Sequence, residues 1–176
     1  MQPNQITTLR LVGGIAAASL FAVGDQAMTY WGCGVFVFAM LLDRADGILA
    51  RLTGRTSDWG HTYDLISDSI SNSVAFVGIG IGLRDSELGG WAIPLGLVAG
   101  VAISAVLWLV MKAEDQAGGR AAELDSAAGF DADDAMLFVP LAMALGWRVE
   151  LIVAAAVGAS LFSVFFFWKF RRFLRG

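Results

Sequence analysis

The chain has 176 residues and a net charge of −4; 57% of its residues are hydrophobic and only 16% are charged. Soluble domains carry about 25% charged residues, so this composition excludes an ordinary soluble protein and indicates an integral membrane protein. The length suits one domain, residues 1–176. The lone Cys33 excludes an internal disulfide, and with a single histidine it argues against a zinc site. We predict that Cys33 is a buried free thiol.

Six apolar segments predict an all-α membrane protein with six transmembrane helices. They are residues 6–23, Tyr30–Arg51, Gly60–Leu83, Trp91–Met111, Ala135–Trp147 and Val149–Trp168. The fifth is too short to cross a bilayer alone, since about 20 residues are needed, so its helix begins nearer Asp131, is shielded or lies tilted. The polar and acidic segment Lys112–Asp133 is predicted as a loop.

Six spans would place both termini on one side of the membrane. Ten positively charged residues fall on that side, and two, Arg84 and Arg148, fall on the other. The positive-inside rule therefore predicts that both termini are cytoplasmic. We expect a bacterial or archaeal inner or plasma membrane, with the site described next facing the cytoplasm.

Four aspartates stand at the ends of the second and third segments. Asp43 and Asp46 are three residues apart, and Asp64 and Asp68 are four residues apart, so each pair shares one face of its helix. A polar turn between the segments lets the two helices run antiparallel with their carboxylates facing each other. Four carboxylates this close stay ionised only beside positive charge, and hard divalent cations, Mg²⁺ or Mn²⁺, prefer such oxygen ligands.

Three small residues accompany the acidic ones, at Gly47, Ala50 and Gly60. They leave volume free beside the carboxylates, so a bulky group can approach the backbone. Because phosphate oxygens commonly complete a Mg²⁺ shell, this combination favours a nucleotide that carries a pyrophosphate.

The stretch resembles the signature of the CDP-alcohol phosphotransferase family, D-x2-D-G-x2-A-R-x8-G-x3-D-x3-D, at all eight fixed positions. These are Asp43, Asp46, Gly47, Ala50, Arg51, Gly60, Asp64 and Asp68. Eight residues at fixed spacing form a specific signal. The pattern Pro-Asn-x-x-Thr-x-x-Arg at residues 3–10 is similar to the start of several lipid-synthesising family members. A second, compatible interpretation is an interfacial helix start, with Arg10 snorkelling to lipid head groups.

The resemblance implies that a CDP-linked donor, most often CDP-diacylglycerol, gives its phosphatidyl group to an alcohol and releases CMP. Two metals held by the four aspartates would clamp the pyrophosphate. Asp68 is both a ligand and the candidate base for the acceptor hydroxyl. Gly47, Ala50 and Gly60 would make room for cytidine or its ribose, and Arg51 would face phosphate or pair with a ligand carboxylate.

The acceptor alcohol stays open, because family members use glycerol 3-phosphate, inositol phosphate, serine and inositol. A phosphorylated acceptor needs basic residues near the metals, and the candidates are Arg10, Arg55, Lys112 and Arg120, of which we favour the last three. The N-terminal pattern favours a polyol phosphate, although the acidic 114–134 loop would repel a second phosphate. We interpret Ser71 and Asn72 as packing groups rather than acceptor contacts.

Partners other than substrates are expected to be the lipid bilayer and a second copy of the chain, with no nucleic acid. Family members are commonly homodimers, and the glycine-rich third and fourth helices could supply such a contact. Two other functions compete with the enzyme. A divalent-cation transporter would place its acids near the bilayer midplane, whereas these lie at its edge. An inactive scaffold would have no need of the complete signature.

Overall fold

The computed structural model describes the backbone of residues 3–53, 58–117 and 136–170, and the side chains of 5–45, 59–60, 62–109 and 136–168. Six α-helices make up almost all of it. They are α1 (Pro3–Val23), α2 (Gln26–Thr53), α3 (Asp58–Gly82), α4 (Ala92–Ala117), α5 (Phe138–Ala144) and α6 (Arg148–Phe170). The predicted all-α class is confirmed. One boundary is wrong, because α4 continues through 112–117, where the sequence predicted a loop.

The turn between α1 and α2 is fixed by two adjacent residues. Gly24 follows α1 with a φ of 83°, in the left-handed region that favours glycine. Asp25 then caps α2, because its carboxylate accepts hydrogen bonds from the backbone N–H groups of Ala27 (2.9 Å) and Met28 (3.2 Å). Arg148, at the start of α6, donates to the carbonyl of Gly24 at 3.3 Å and so joins α6 to this turn.

Helix α1 packs against both α2 and α3. Its buried positions recur every three or four residues, as in an amphipathic helix; they include Thr7, Arg10, Gly14, Ala17 and Phe21. Glycines of α3 bring the two backbones into contact. A Cβ at Gly78 would lie 2.2 Å from the carbonyl oxygen of Ala18, and one at Gly82 would lie 2.1 Å from that of Phe21. Only glycine allows this approach.

Glycines also mark the crossing of α3 and α4. A Cβ at Gly80 would lie 2.6 Å from a carbonyl oxygen of α4, and one at Gly96 would lie 2.6 Å from a carbonyl oxygen of α3. The hydroxyl of Ser73 donates to the carbonyl of Gly100 across the same interface at 2.9 Å. The idea that the glycines of α3 and α4 supply a homodimer contact is therefore wrong for these positions, since they pack helices within the chain.

The interior of the bundle is rich in small residues, whereas large apolar side chains cover its outside. Ala17, Ala75, Ala92 and Ala99 are fully buried, while Leu161, Val164, Phe165 and Trp168 of α6 are more than half exposed. Such an exterior suits contact with lipid chains rather than water. Cys33 is a buried free thiol, as predicted, and its Sγ lies 3.4 Å from the carbonyl oxygen of Pro140.

Four of the described helices are long and apolar enough to cross a membrane. The segments are Gln5–Val23, Thr62–Gly82, Gly89–Leu109 and Arg148–Trp168. Helix α5 has only seven described residues, consistent with the prediction that this segment is too short to span alone. The structure thus supports an integral membrane protein, while the count of six spans and the cytoplasmic termini stay predictions.

Candidate metal centre

Three aspartates converge at one end of the bundle. Asp43 lies on α2, and Asp64 and Asp68 lie one turn apart on α3. One carboxylate oxygen from each lies within 4.8 Å of those from the other two. The side chains of Asp43, Asp64 and Asp68 are 22%, 37% and 28% exposed, so each is partly buried, and Oδ1 of Asp64 is itself a buried atom.

This donor set fits the cations that the sequence predicted. All three described donors are carboxylates, which Mg²⁺ and Mn²⁺ prefer, whereas zinc sites commonly draw on imidazole or thiolate. Asp46, the fourth predicted ligand, has its backbone in α2 about one turn after Asp43, but its side chain lies outside the described residues. The structure therefore brings three of the four predicted ligands together.

The guanidinium of Arg10, on α1, lies among these carboxylates. Its Nη1 forms an ion pair with Oδ1 of Asp43, and its Nη2 lies 3.2 Å from Oδ1 of Asp64 and 3.1 Å from Oδ1 of Asp68. Nη2 also donates a hydrogen bond to the backbone carbonyl of Asp64 at 2.9 Å. The site is consequently built from three helices, whereas the sequence predicted two.

Arg10 does not snorkel to lipid head groups, because its side chain is only 3% exposed. Burying an arginine is costly unless it is paired, and the ion pairs with three carboxylates meet that requirement, although Nε has no hydrogen-bond partner among the described residues. Arg10 is thus the site residue whose place the sequence reasoning missed. The N-terminal pattern singled it out, but nothing in that pattern shows which carboxylates a residue of α1 will contact.

A crevice of about 430 Å³, measured with the open space at its mouth, adjoins the carboxylates. Its lining includes Arg10, Phe36, Ala39, Met40, Asp43, Arg44, Asp68, Ser71, Asn72 and Met136. Ser71 is buried and Asn72 is partly buried. Both border the same space as Asp68, although the sequence predicted them to be packing groups.

The family model described as CDP-alcohol phosphatidyltransferase matches residues 1–162. The chain belongs to this family. Among curated proteins, a phosphatidylinositol phosphate synthase from Streptomyces avermitilis is 32% identical over 81 residues, which cover 46% of this chain and 32% of that protein. The chain thus matches about a third of the length of that relative. The resemblance seen at residues 43–68 is confirmed over most of the chain.

Several positions of the CDP-alcohol phosphatidyltransferase signature lie where the structure describes only backbone. In α2 these are Asp46, Gly47, Ala50 and Arg51. Gly60 is partly buried and stands one turn before Asp64 on α3. The three favoured acceptor contacts, namely Arg55, Arg120 and the side chain of Lys112, lie outside the described residues. The nucleotide-binding and acceptor-binding assignments therefore stay predictions.

Proposed function

We propose that this chain transfers the phosphatidyl group of CDP-diacylglycerol to a polar alcohol and releases CMP. The observation that carries the proposal is the convergence of Asp43, Asp64 and Asp68 in a member of the CDP-alcohol phosphatidyltransferase family. Four apolar helices suit an enzyme whose donor is a lipid. The acyl chains of the donor would stay in the bilayer, while its cytidine diphosphate group reaches the carboxylates.

Two divalent ions, Mg²⁺ or Mn²⁺, would be held by Asp43, Asp46, Asp64 and Asp68. When bound, they supply positive charge that offsets the charge of the donor pyrophosphate. The described residues support this assignment, because three carboxylates converge there, whereas two described guanidinium groups, those of Arg10 and Arg44, border the crevice. That leaves a surplus of negative charge, which attracts cations.

In the proposed reaction, the acceptor oxygen forms a bond to the phosphorus of the phosphatidyl group, and the bond from that phosphorus to the CMP oxygen breaks. CMP keeps the electron pair of the broken bond, and the acceptor proton passes to a carboxylate. Asp68 is the candidate base because it lines the crevice in which an acceptor would lie. Its ion pair with Arg10 at 3.1 Å holds the carboxylate beside that crevice.

A polyol phosphate is the acceptor we favour. The relative from Streptomyces avermitilis is named as a phosphatidylinositol phosphate synthase, which supports an acceptor of this class. Ser71 and Asn72 offer hydrogen-bonding groups for hydroxyls beside Asp68. The acceptor phosphate would then bind towards Arg55, Lys112 and Arg120.

We place the carboxylates at the cytoplasmic face of the membrane, where CTP-derived nucleotides are made. The excess of Lys and Arg at that end supports this orientation. We also propose that the chain acts as one domain and forms a homodimer, through surfaces other than the glycine contacts described above.

The test is release of CMP from CDP-diacylglycerol by the purified full chain in lipid nanodiscs. Each reaction contains Mn²⁺ or Mg²⁺ and one acceptor: glycerol 3-phosphate, inositol phosphate, inositol or serine. We expect release that needs both the cation and one of the phosphorylated polyols, and that stops when EDTA is added. Manganese uptake into liposomes without CMP release would support a transporter instead, and neither activity would support an inactive scaffold.

A further inference from the structure

We propose that Arg10 is a positioning residue that holds the carboxylates of Asp43, Asp64 and Asp68 together from the buried side of the site. A divalent cation would then bind the same carboxylates from the exposed side. This inference rests on the metal site of the proposed function and assigns a role to a residue of α1, outside the signature at 43–68.

Burial distinguishes the two sides of the cluster. The side chain of Arg10 is 3% exposed, whereas those of Asp43, Asp64 and Asp68 are 22%, 37% and 28% exposed. Arg10 approaches from the buried face of α1, which also contains Thr7 and Gly14. The carboxylates are thus more exposed than the guanidinium that pairs with them, so a divalent cation can reach their exposed parts. Arg10 borders the same crevice as Asp43 and Asp68, but its side chain is almost wholly buried.

The contacts of the guanidinium suit a fixed support rather than a movable one. Nη1 forms an ion pair with Asp43. Nη2 forms ion pairs with Asp64 and Asp68 and also donates a hydrogen bond to the backbone carbonyl of Asp64 at 2.9 Å. A metal ion that binds the carboxylates would leave the hydrogen bond from Arg10 to the backbone carbonyl of Asp64 in place. The planar fork of arginine presents several donors in fixed directions, which the single ammonium of lysine does not.

Two other roles for Arg10 fit less well. Its burial rules out contact with lipid head groups. Binding of an acceptor phosphate would require free positive charge, but three carboxylates already surround the guanidinium. Groups that orient metal ligands without touching the metal typically contribute about 10–100-fold to metal affinity, which sets the size of the effect expected here.

The experiment measures Mn²⁺ binding, by the electron paramagnetic resonance signal of free Mn²⁺, to the full chain in detergent without substrate. The variants are Arg10→Gln and Arg10→Lys. Arg84→Gln is the matched control, because Arg84 is half-exposed and bonds backbone carbonyls of Ala22 and Ile81 at the opposite end of α1 and α3. Circular dichroism verifies that each sample is helical.

We expect Arg10→Gln to weaken Mn²⁺ binding about 10–100-fold. Arg10→Lys should also weaken it, although it keeps the charge, and Arg84→Gln should not. Unchanged or tighter binding by Arg10→Gln would show that the guanidinium competes with the metal, and would overturn the inference. Wild-type binding by Arg10→Lys would overturn it too, since a point charge would then suffice. Because Mn²⁺ binding is measured without substrate, a result that contradicts the role of Arg10 can be distinguished from a lack of CMP release, which would contradict the proposed function.

Discussion

Arg10 and Asp68 form an ion pair with 3.1 Å between Nη2 and Oδ1, although they belong to the first and third helices. This pair makes the geometry of the carboxylates depend on how α1 packs against α3. That packing depends in turn on positions such as Gly14 and Gly78, where the two helices come into close contact. We therefore expect substitutions along this interface, as well as those at the aspartates, to affect the site.

Asp43→Asn should reduce CMP release by about 100-fold or more, since losing a metal ligand costs at least as much as losing a group that orients one. The amide keeps the shape of the side chain but loses the charge that binds the cation. Initial rates over a Mn²⁺ titration provide the measurement. Asp85→Asn is the control, because Asp85 is 87% exposed and pairs with Arg84 instead. Equal effects of the two substitutions would count against a role for Asp43 as ligand.

Asp68→Asn separates the two roles proposed for this residue. If Asp68 is the base, kcat should fall by about 10²–10⁴-fold, the usual contribution of a positioned proton acceptor, while binding of the CDP donor is partly retained. Turnover and binding of CDP-diacylglycerol are measured on the same preparation. Loss of donor binding together with turnover would leave Asp68 as a metal ligand only.

The helices and the aspartates of the site were predictable because both depend on local spacing. Asp64 and Asp68 are one turn apart in any helix, and the long apolar segments around them can only be helical in a membrane. The short α5 follows from an equally local signal, namely an apolar segment with too few residues to span.

What the sequence could not predict depends on contacts between helices. The ion pairs of Arg10 join α1 to α2 and α3, and a pattern within α1 carries no information on those partners. For the same reason, glycines that suggested a dimer contact turned out to pack α3 against α1 and α4. The C-terminal boundary of α4 was predicted too early because the charged residues at 112–117 are typical of a loop. Such residues are also compatible with a helix that continues out of the membrane.

Asn72→Ala tests whether the crevice beside Asp68 receives the acceptor. Loss of one hydrogen bond, about 0.5–1.5 kcal/mol, should raise KM for the acceptor about 2- to 10-fold and leave KM for CDP-diacylglycerol unchanged. Ser19→Ala is the control, because Ser19 is exposed and its hydroxyl donates within α1, to the carbonyl of Ile15. If neither KM changes, Asn72 is a packing group, as predicted from the sequence.

Gly14→Ala should destabilise the bundle at the interface that carries Arg10. The added Cβ would lie 1.7 Å from Oγ and 2.9 Å from Cβ of Ser71, and Ser71 is buried, so its hydroxyl must rotate away and the two helices must shift slightly. Overpacking of this kind typically costs about 1–3 kcal/mol. The measurement is unfolding in detergent, followed by circular dichroism. Gly158→Ala on α6 is the control, because nothing lies within 4 Å of its added Cβ and alanine favours a helix.

A double substitution decides whether the contact with Ser71 causes that loss. In Ser71→Gly the atoms nearest the new Cβ are absent, and the remaining neighbour, Cα of residue 71, lies at an ordinary 3.4 Å. Gly14→Ala should therefore cost much less in the Ser71→Gly background than in the wild type, even though glycine itself weakens α3 by about 0.5–1 kcal/mol. Equal costs in the two backgrounds would mean that the destabilisation arises elsewhere. Gly14→Ala should also weaken Mn²⁺ binding, because Arg10 lies one turn before Gly14 on the same buried face. If the contact with Ser71 is responsible, the Ser71→Gly background should restore both the Mn²⁺ affinity and the stability.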